Sequence, residues 1–334
     1  MKETDIRPEA LLRKYLELSE QDATNCFGHE LRVSIPCVGC GGHEVETDFE
    51  KHGFAYGLCQ DCGTLYQTPR PPLSAFEAFY RDSVSSNYWA EVFFPAVAEA
   101  RREKIFRPRC ERLATMCEAQ GLVIRRLIDV GAGYGIFLDE WRKRAPDTRL
   151  VAVEPSATLA EECRSKGFEA VEDIVEQVGK EYEGFADLVV CFEVLEHVYE
   201  PMVFVKSLMR LARPGGVVFV STLCVDGFDL QTLWQKSNQI FPPHHINLLS
   251  VVGFEKLFMR AGLVDVTVTT PGKLDLDIVR NASRLDPNVL RGQRFIQKVI
   301  DDDVKAAAFQ DFLAANRLSS HAWVLGKVPD YNLS

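Results

Sequence analysis

A chain of 334 residues, 46% of them hydrophobic, is long enough to bury one sizeable core and one or two small ones. Its net charge of −10 argues against a broad electrostatic grip on nucleic acid, and no apolar run reaches the roughly 18 residues of a membrane span. Met1 to Asp5 lacks the apolar core of a signal peptide, so a cytoplasmic location is expected, and the ten cysteines read as thiols or metal ligands rather than disulfides.

The first element, Pro8 to Glu20, reads as a packing helix with Leu11, Leu12, Tyr15 and Leu16 on one face, and Asp22 to Pro36 reads as irregular. Residues 1–36 thus form an N-terminal helical segment. Two C-x₂-C knuckles follow, Cys37 with Cys40 and Cys59 with Cys62, 18 residues apart and each trailed by glycine. That spacing predicts a small zinc ribbon over 37–72, in which Cys37, Cys40, Cys59 and Cys62 surround one structural ion and leave it no open position. Glu44, Glu46, Asp48, Glu50 and Asp61 outweigh Lys51 and Arg70, so the ribbon is a poor phosphate binder and is expected to brace or position something instead. Residues 73–123 read as a helical lid or linker, with Pro95 and Pro108 expected to break or kink it and with Tyr80, Tyr88 and Trp89 the rings expected to roof a pocket.

From residue 124 to 334 strand and helix alternate. Strands are expected at 126–130, 149–153, 168–171, 186–192, 217–222, 263–270 and 321–328, and helices near 135–145, 157–166, 200–212 and 250–262, with an insertion near 273–320 whose long helical part is expected from about 287 to 318. Apolar, β-branched strands in this rhythm predict an α/β, Rossmann-like sheet covered by helices on both faces.

The residues with chemistry sit at the carboxyl ends of those strands. Asp129 closes the first strand of this unit and leads into a G-x-G-x-G turn, Gly131, Gly133 and Gly135, where Ile136 occupies the place at which a dinucleotide site needs its third glycine. Glu154 ends the next strand, 19 residues beyond Gly135, where a carboxylate can accept both ribose hydroxyls of a nucleoside. Asp173 follows the third, and a helix N-cap explains it as well as a ligand contact does. The fourth runs into Phe192-Glu193-Val194-Leu195-Glu196-His197-Val198, and the loop after the fifth holds Pro242-Pro243-His244-His245-Ile246-Asn247.

The glycine turn, Glu154, the Phe192–Val198 segment and the later Arg213-Pro214-Gly215-Gly216 together resemble the class I S-adenosylmethionine-dependent methyltransferases over about residues 125–270. The four-cysteine lead resembles that of a bacterial subgroup of the same family. The resemblance implies a seven-stranded sheet whose final strand is antiparallel. It implies S-adenosylmethionine held by Asp129, Gly131, Ala132, Gly133, Gly135, Glu154, Pro155, Asp173, Phe192, Glu193 and His197. It also implies a general base in the histidine loop, with His245 the first choice and His197 and His244 next. The strand-four segment lacks the Pro-Pro-aromatic signature used on planar amines, so the acceptor is expected to be the hydroxyl oxygen of a small polar metabolite, with a sugar or sugar nucleotide as the leading example. Two alternatives stay open, a zinc-ribbon RNA methyltransferase and a sugar C-methyltransferase. Nucleic acid and membrane are not expected as partners.

Overall fold

The computed structural model describes residues 1–27 and 31–330. Among them the strands run in chain order as β1 (Val45–Lys51), β2 (Phe54–Cys59), β3 (Leu65–Gln67), β4 (Arg126–Val130), β5 (Arg149–Val153), β6 (Glu169–Val171), β7 (Ala186–Phe192), β8 (Ala212–Leu223), β9 (Asn247–Leu248), β10 (Val264–Thr269) and β11 (His321–Lys327). Seven of them make one sheet in the order β6-β5-β4-β7-β8-β11-β10. The five from β4 to β8 pair in parallel, and β11 inserts antiparallel between β8 and β10, as the resemblance implied.

Alternation of side chains explains why these strands are apolar throughout. Ile128, Val130, Val151, Val189 and Val220 feed the core on one face, while Leu127, Ala152, Leu188, Val190 and Phe219 feed the core on the other. With both faces under helices, neither parity of position has water to meet. No helix among the described residues is long and apolar enough to cross a membrane.

Several elements differ from expectation. The N-terminal helix runs Glu9–Phe27, well past Glu20. Its extra turns are held by tertiary contacts: the buried Asp22 carboxylate accepts from Ser83 Oγ (3.0 Å) and from Ser85 N (2.8 Å) and Oγ (2.6 Å), and Phe27 packs on Phe54, Phe76 and Phe79. Residues 28–30 of the stretch read as irregular lie outside the described residues. Pro95 and Pro108 do not break the lid. Each sits in the first turn of an α-helix, Phe94–Arg101 and Arg107–Ala119, directly after a π-helical turn, Trp89–Phe93 and Arg102–Phe106. The wider turn makes room for the ring and needs no hydrogen bond from the missing N–H. The helices of the insertion run Asp275–Leu285, Arg294–Ile300 and Asp303–Ala315, the first of them before residue 287, and β8 starts at Ala212, which pairs with Ala186 ahead of a register irregularity that ends where Val217 pairs with Leu188.

The cysteine-bearing segment is built into the rest of the fold. β1, β2 and β3 form an antiparallel sheet whose fourth member is β9, at the end of the histidine loop: Leu65 pairs with Leu248 and Tyr66 with Asn247. Arg70, fully buried, donates to the carbonyls of Gln67 (3.0 Å) and Tyr199 (2.9 Å) and to Asn247 Oδ1 (3.1 Å).

Candidate active site

β4 delivers Asp129 to the glycine turn. Gly131 has φ +73°, and a Cβ there would lie 2.6 Å from Val194 Cγ2, so only glycine lets the turn approach the segment after β7. Gly135, at φ +65°, is the residue from which the helix Ile136–Arg144 starts. Gly133 N–H donates to Glu154 Oε2 (2.8 Å) and Ser156 N–H to Oε1 (3.0 Å), so the Glu154 carboxylate is fixed before any ligand arrives. Asp129 is buried and its Oδ1 has no hydrogen-bond partner among the described residues; burial, then the neighbouring Glu154, pushes its carboxyl up to about 8. A buried carboxyl with an unmet oxygen is satisfied by a cationic or hydrogen-donating group of a ligand.

Above the carboxyl ends of β4, β5 and β7 lies a cavity of about 1120 Å³. It exceeds the roughly 300–1,000 Å³ of a site for one small ligand. One end is walled by Asp129, Gly131, Ala132, Gly133, Glu154, Pro155 and Asp173, and the other by Glu193, Glu196, His197, His244 and His245, with Phe192 between. The roof comes from the N-terminal helices and the lid, including Tyr15, Tyr80, Trp89 and Phe94. Tyr134 on the glycine turn stacks on Phe94 (5.0 Å between centroids) and donates to Ala90 O, tying the lid to the turn.

The segment after β7 holds two carboxyls in opposite states. Glu193 has φ +56°, a strained conformation for a residue with a side chain, costing about 1–3 kcal/mol. Its Oε1 accepts from Arg109 Nη2 (3.0 Å) and Ser221 Oγ (2.8 Å). Burial alone would raise its carboxyl, but His321, Arg109 and Ser221 hold it down to about 2. Glu196 accepts from Thr222 Oγ1 (2.7 Å) rather than from a cation; burial, then the charge on Glu193, pushes it up to about 8.

His245 Nδ1 lies 2.6 Å from the carbonyl of Gln239. A carbonyl only accepts, so Nδ1 carries the proton and Nε2 is left with its lone pair. Burial, then His197, holds the ring far below the usual histidine range, so it is neutral. His197 is also neutral, lowered to about 4 by burial. A carboxyl oxygen of Glu196 and one ring nitrogen each of His197 and His245 lie within 4.8 Å of one another. His244 is held differently: its Nε2 lies 2.8 Å from Ser85 Oγ, which itself donates to Asp22, and its ring sits among Tyr15, Phe79 and Phe241.

The cysteine segment reaches this same cluster. Cys37 and Cys62 Sγ are 3.6 Å apart, Cys40 and Cys59 Sγ 3.5 Å, and all four sulfurs lie within 4.8 Å of one another. Tetrahedral thiolates around zinc stand about 3.8 Å apart, given a bond of about 2.3 Å, so this donor set fits such an ion. From the knuckles Ser250 Oγ donates to Cys62 O, Tyr56 Oη donates to the His245 carbonyl (2.8 Å), and Gln67 N donates to Ile246 O (2.9 Å). Asn247 Nδ2 then donates to Val198 O (2.6 Å), and Ile246 N to Glu196 O (2.9 Å), which joins the two histidine-bearing segments.

Twelve of the residues named from sequence therefore share one cavity: Asp129, Gly131, Ala132, Gly133, Glu154, Pro155, Asp173, Phe192, Glu193, His197, His244 and His245. Gly135 lies outside its wall, packed toward Cys163 and Phe168, where it shapes the turn. Asp173 caps no helix; its Oδ1 accepts from the next amide, Ile174 N (2.8 Å). Tyr80 and Trp89 do roof the cavity, whereas Tyr88 packs beside Tyr15 and Phe93. Arg7, Arg101 and Arg109 also face the site and are absent from the sequence-based candidates, because pattern alone assigns such arginines to solvent or packing.

A family described as "Methyltransferase domain" matches residues 97–268. The ubiquinone biosynthesis O-methyltransferases of Escherichia coli and Cronobacter sakazakii are 32% and 33% identical to this chain, over 44% and 42% of it. The matched region spans only 60% and 58% of the length of those relatives. Among solved structures, the plantazolicin methyltransferase BpumL overlays with a TM-score of 0.49 at 10% identity, covering 76% of this chain and 94% of that one. Human N-acetylserotonin methyltransferase overlays with a TM-score of 0.47 at 12% identity, covering 76% and 59%. Overlays this loose carry no argument about substrate or mechanism.

Proposed function

This chain belongs to the methyltransferase-domain family, and from that premise we propose that it transfers the methyl group of S-adenosylmethionine to a hydroxyl oxygen of an acceptor held in the same cavity. The observation that carries the reading is the continuity of that cavity, which joins the Asp129–Glu154 cradle to the Glu196, His197 and His245 cluster.

Asp129, Gly131, Ala132, Gly133, Glu154, Pro155, Asp173, Phe192 and Glu193 would hold the cofactor, and the unmet Oδ1 of Asp129 and the preset carboxylate of Glu154 fit a ligand with an ammonium and a ribose. When bound, S-adenosylmethionine supplies an electrophilic methyl carbon together with its own leaving group. The chain supplies alignment and exclusion of water, for which oriented reactants gain up to about 7–11 kcal/mol. His245 serves as the general base: its neutral ring, locked into one tautomer by Gln239, offers Nε2 to the hydroxyl proton. His197 lines the adjoining wall, and Glu196 once ionised faces the protonated imidazole. His244, engaged by Ser85, is a positioning residue in this scheme.

Zinc bound by Cys37, Cys40, Cys59 and Cys62 has a structural role here, bracing the Phe241–Asn247 loop through Cys62, Tyr56 and Gln67. The relatives' names support oxygen as the atom methylated. A sugar or sugar nucleotide finds less support, because Tyr15, Phe76, Tyr80, Trp89 and Phe241 add aromatic surface to the cavity around the histidines. A hydroxylated aromatic suits these walls better. A cytoplasmic location is part of the same proposal. Calorimetry tests it: micromolar binding of S-adenosylhomocysteine to the zinc-loaded protein is expected, and absence of binding overturns the reading.

A further inference from the structure

Beside Glu193 lies a second cavity, an annexe of about 180 Å³, and Arg7, Arg101, Glu193, Leu223, Gln239 and Ile278 line both it and the main cavity. The annexe lies over the ends of β8 and β11, where Leu223 pairs with His321, away from the Gly131–Glu154 cradle. Its other walls carry Lys104, Arg109, Arg112 and Lys273 against Asp275.

Two of its arginines have unmet donors. Arg101 is 9% exposed, lies over the rings of Trp89 (5.7 Å) and Phe94 (5.4 Å), and makes no side-chain hydrogen bond or ion pair among the described residues; its Nε is buried without a partner. Arg109 is 5% exposed. Its Nη2 serves Glu193 and His321 Nε2 (2.9 Å), but Nη1 is buried and unpartnered among the described residues. Arg7 stands beside them, with a 3.9 Å contact to Glu3. A buried guanidinium without a carboxylate is disfavoured unless something else meets its donors. Glu193 meets neither of the unpartnered donors, since its hydrogen bonds come from Arg109 Nη2 and Ser221 Oγ.

We infer that Arg101 and Arg109, with Arg7, form a subsite for an anionic group, a carboxylate or a phosphate, carried by the methyl acceptor. The acceptor is then amphipathic, its body against the aromatic walls and its anion in the annexe. This rests on the methyl-transfer reading above. It adds that the enzyme discriminates between acceptors by charge at a point removed from the reacting hydroxyl.

The test is a titration of protein saturated with S-adenosylhomocysteine, using benzoate, inorganic phosphate and neutral benzyl alcohol as probes. At least one anion is expected to bind about tenfold or more tightly than the alcohol, with benzoate ahead if the group is a carboxylate and phosphate ahead if it is a phosphate. R101Q should erase that preference, R101K should keep part of it, and both should bind S-adenosylhomocysteine within about twofold of wild type. The inference falls if wild type shows no preference for anions, or if the preference survives in both R101Q and R109Q. It also falls if R101Q weakens S-adenosylhomocysteine as much as the anion, which would assign the arginine to the cofactor. Failure of wild type to bind S-adenosylhomocysteine at all would instead remove the underlying reading.

Discussion

The two ends of the cavity are built in opposite ways. The end proposed for the cofactor comes mainly from the stretch Asp129 to Val175, joined by Phe192 and Glu193, and is shaped largely by backbone: glycines at positive φ, and amides of Gly133 and Ser156 that set one carboxylate. The acceptor end is assembled from Arg7, Tyr15, Tyr80, Trp89, Arg101, Glu196, His245 and Ile278, parts of the chain far apart in sequence, and works through side chains. A site made of local backbone is rigid because the strand–turn–helix unit is rigid. A site made of distant side chains needs separate bracing, and here the cysteine ribbon supplies it through β9 and Tyr56.

If the two ends do separate jobs, variants should separate them. The largest effect is expected for H245A. Turnover should fall by roughly 10²–10⁴-fold, the usual contribution of a positioned base, while affinity for S-adenosylhomocysteine stays as in wild type. E154A should do the reverse: about 100-fold weaker S-adenosylhomocysteine binding by calorimetry, corresponding to about two hydrogen bonds to a charged group, with metal content unchanged.

Metal removal by a chelator should act mainly on the acceptor end. Turnover is expected to drop on the order of tenfold or more, as when groups supporting a site are lost, and the melting temperature should fall with it. Cofactor binding should suffer least, and equal loss at both ends would refute the bracing role.

The smallest effect is the pH dependence of stability. Asp129 and Glu196, both raised to about 8 with burial the leading cause, keep protons that the unfolded chain releases above about pH 4.5. Their share of stability is therefore complete below about pH 4.5 and is lost as pH climbs to about 8. The buried histidines, depressed in the fold, oppose this only below about pH 6.5, where the unfolded chain would take up their protons. The ligand-free protein should thus melt a few degrees lower at about pH 8.5 than at about pH 6.5, and E196Q should flatten the slope. A melting temperature that rises over that interval would contradict the protonation states assigned to the two carboxyls.

The same contrast explains what is legible in the sequence. Strand bounds in the sheet fall within a residue or two of expectation for β4, β5, β6, β7, β10 and β11, because period and burial agree there. Asp129, the glycine turn and Glu154 are legible because their spacing follows from local geometry. The cysteine knuckles are legible for the same reason. Arg101 and Arg109 are not, because a helical arginine looks alike whether it meets solvent or a cavity. The uninterrupted lid escapes a sequence reading because π-helical turns absorb Pro95 and Pro108, and such turns leave no compositional mark. The helix to Phe27 escapes it because Asp22 and Phe27 are held by residues more than 25 positions away. His245 stands out as a candidate from its loop, but its tautomer depends on the fold of Gln239.

The most direct measurement of the division between the two ends is a crossed calorimetric titration of S-adenosylhomocysteine into E154A and H245A beside wild type. Strong binding to wild type and H245A, with a loss of about 100-fold in E154A alone, is the predicted result. Equal losses in the two variants, or unimpaired binding to E154A, would contradict it.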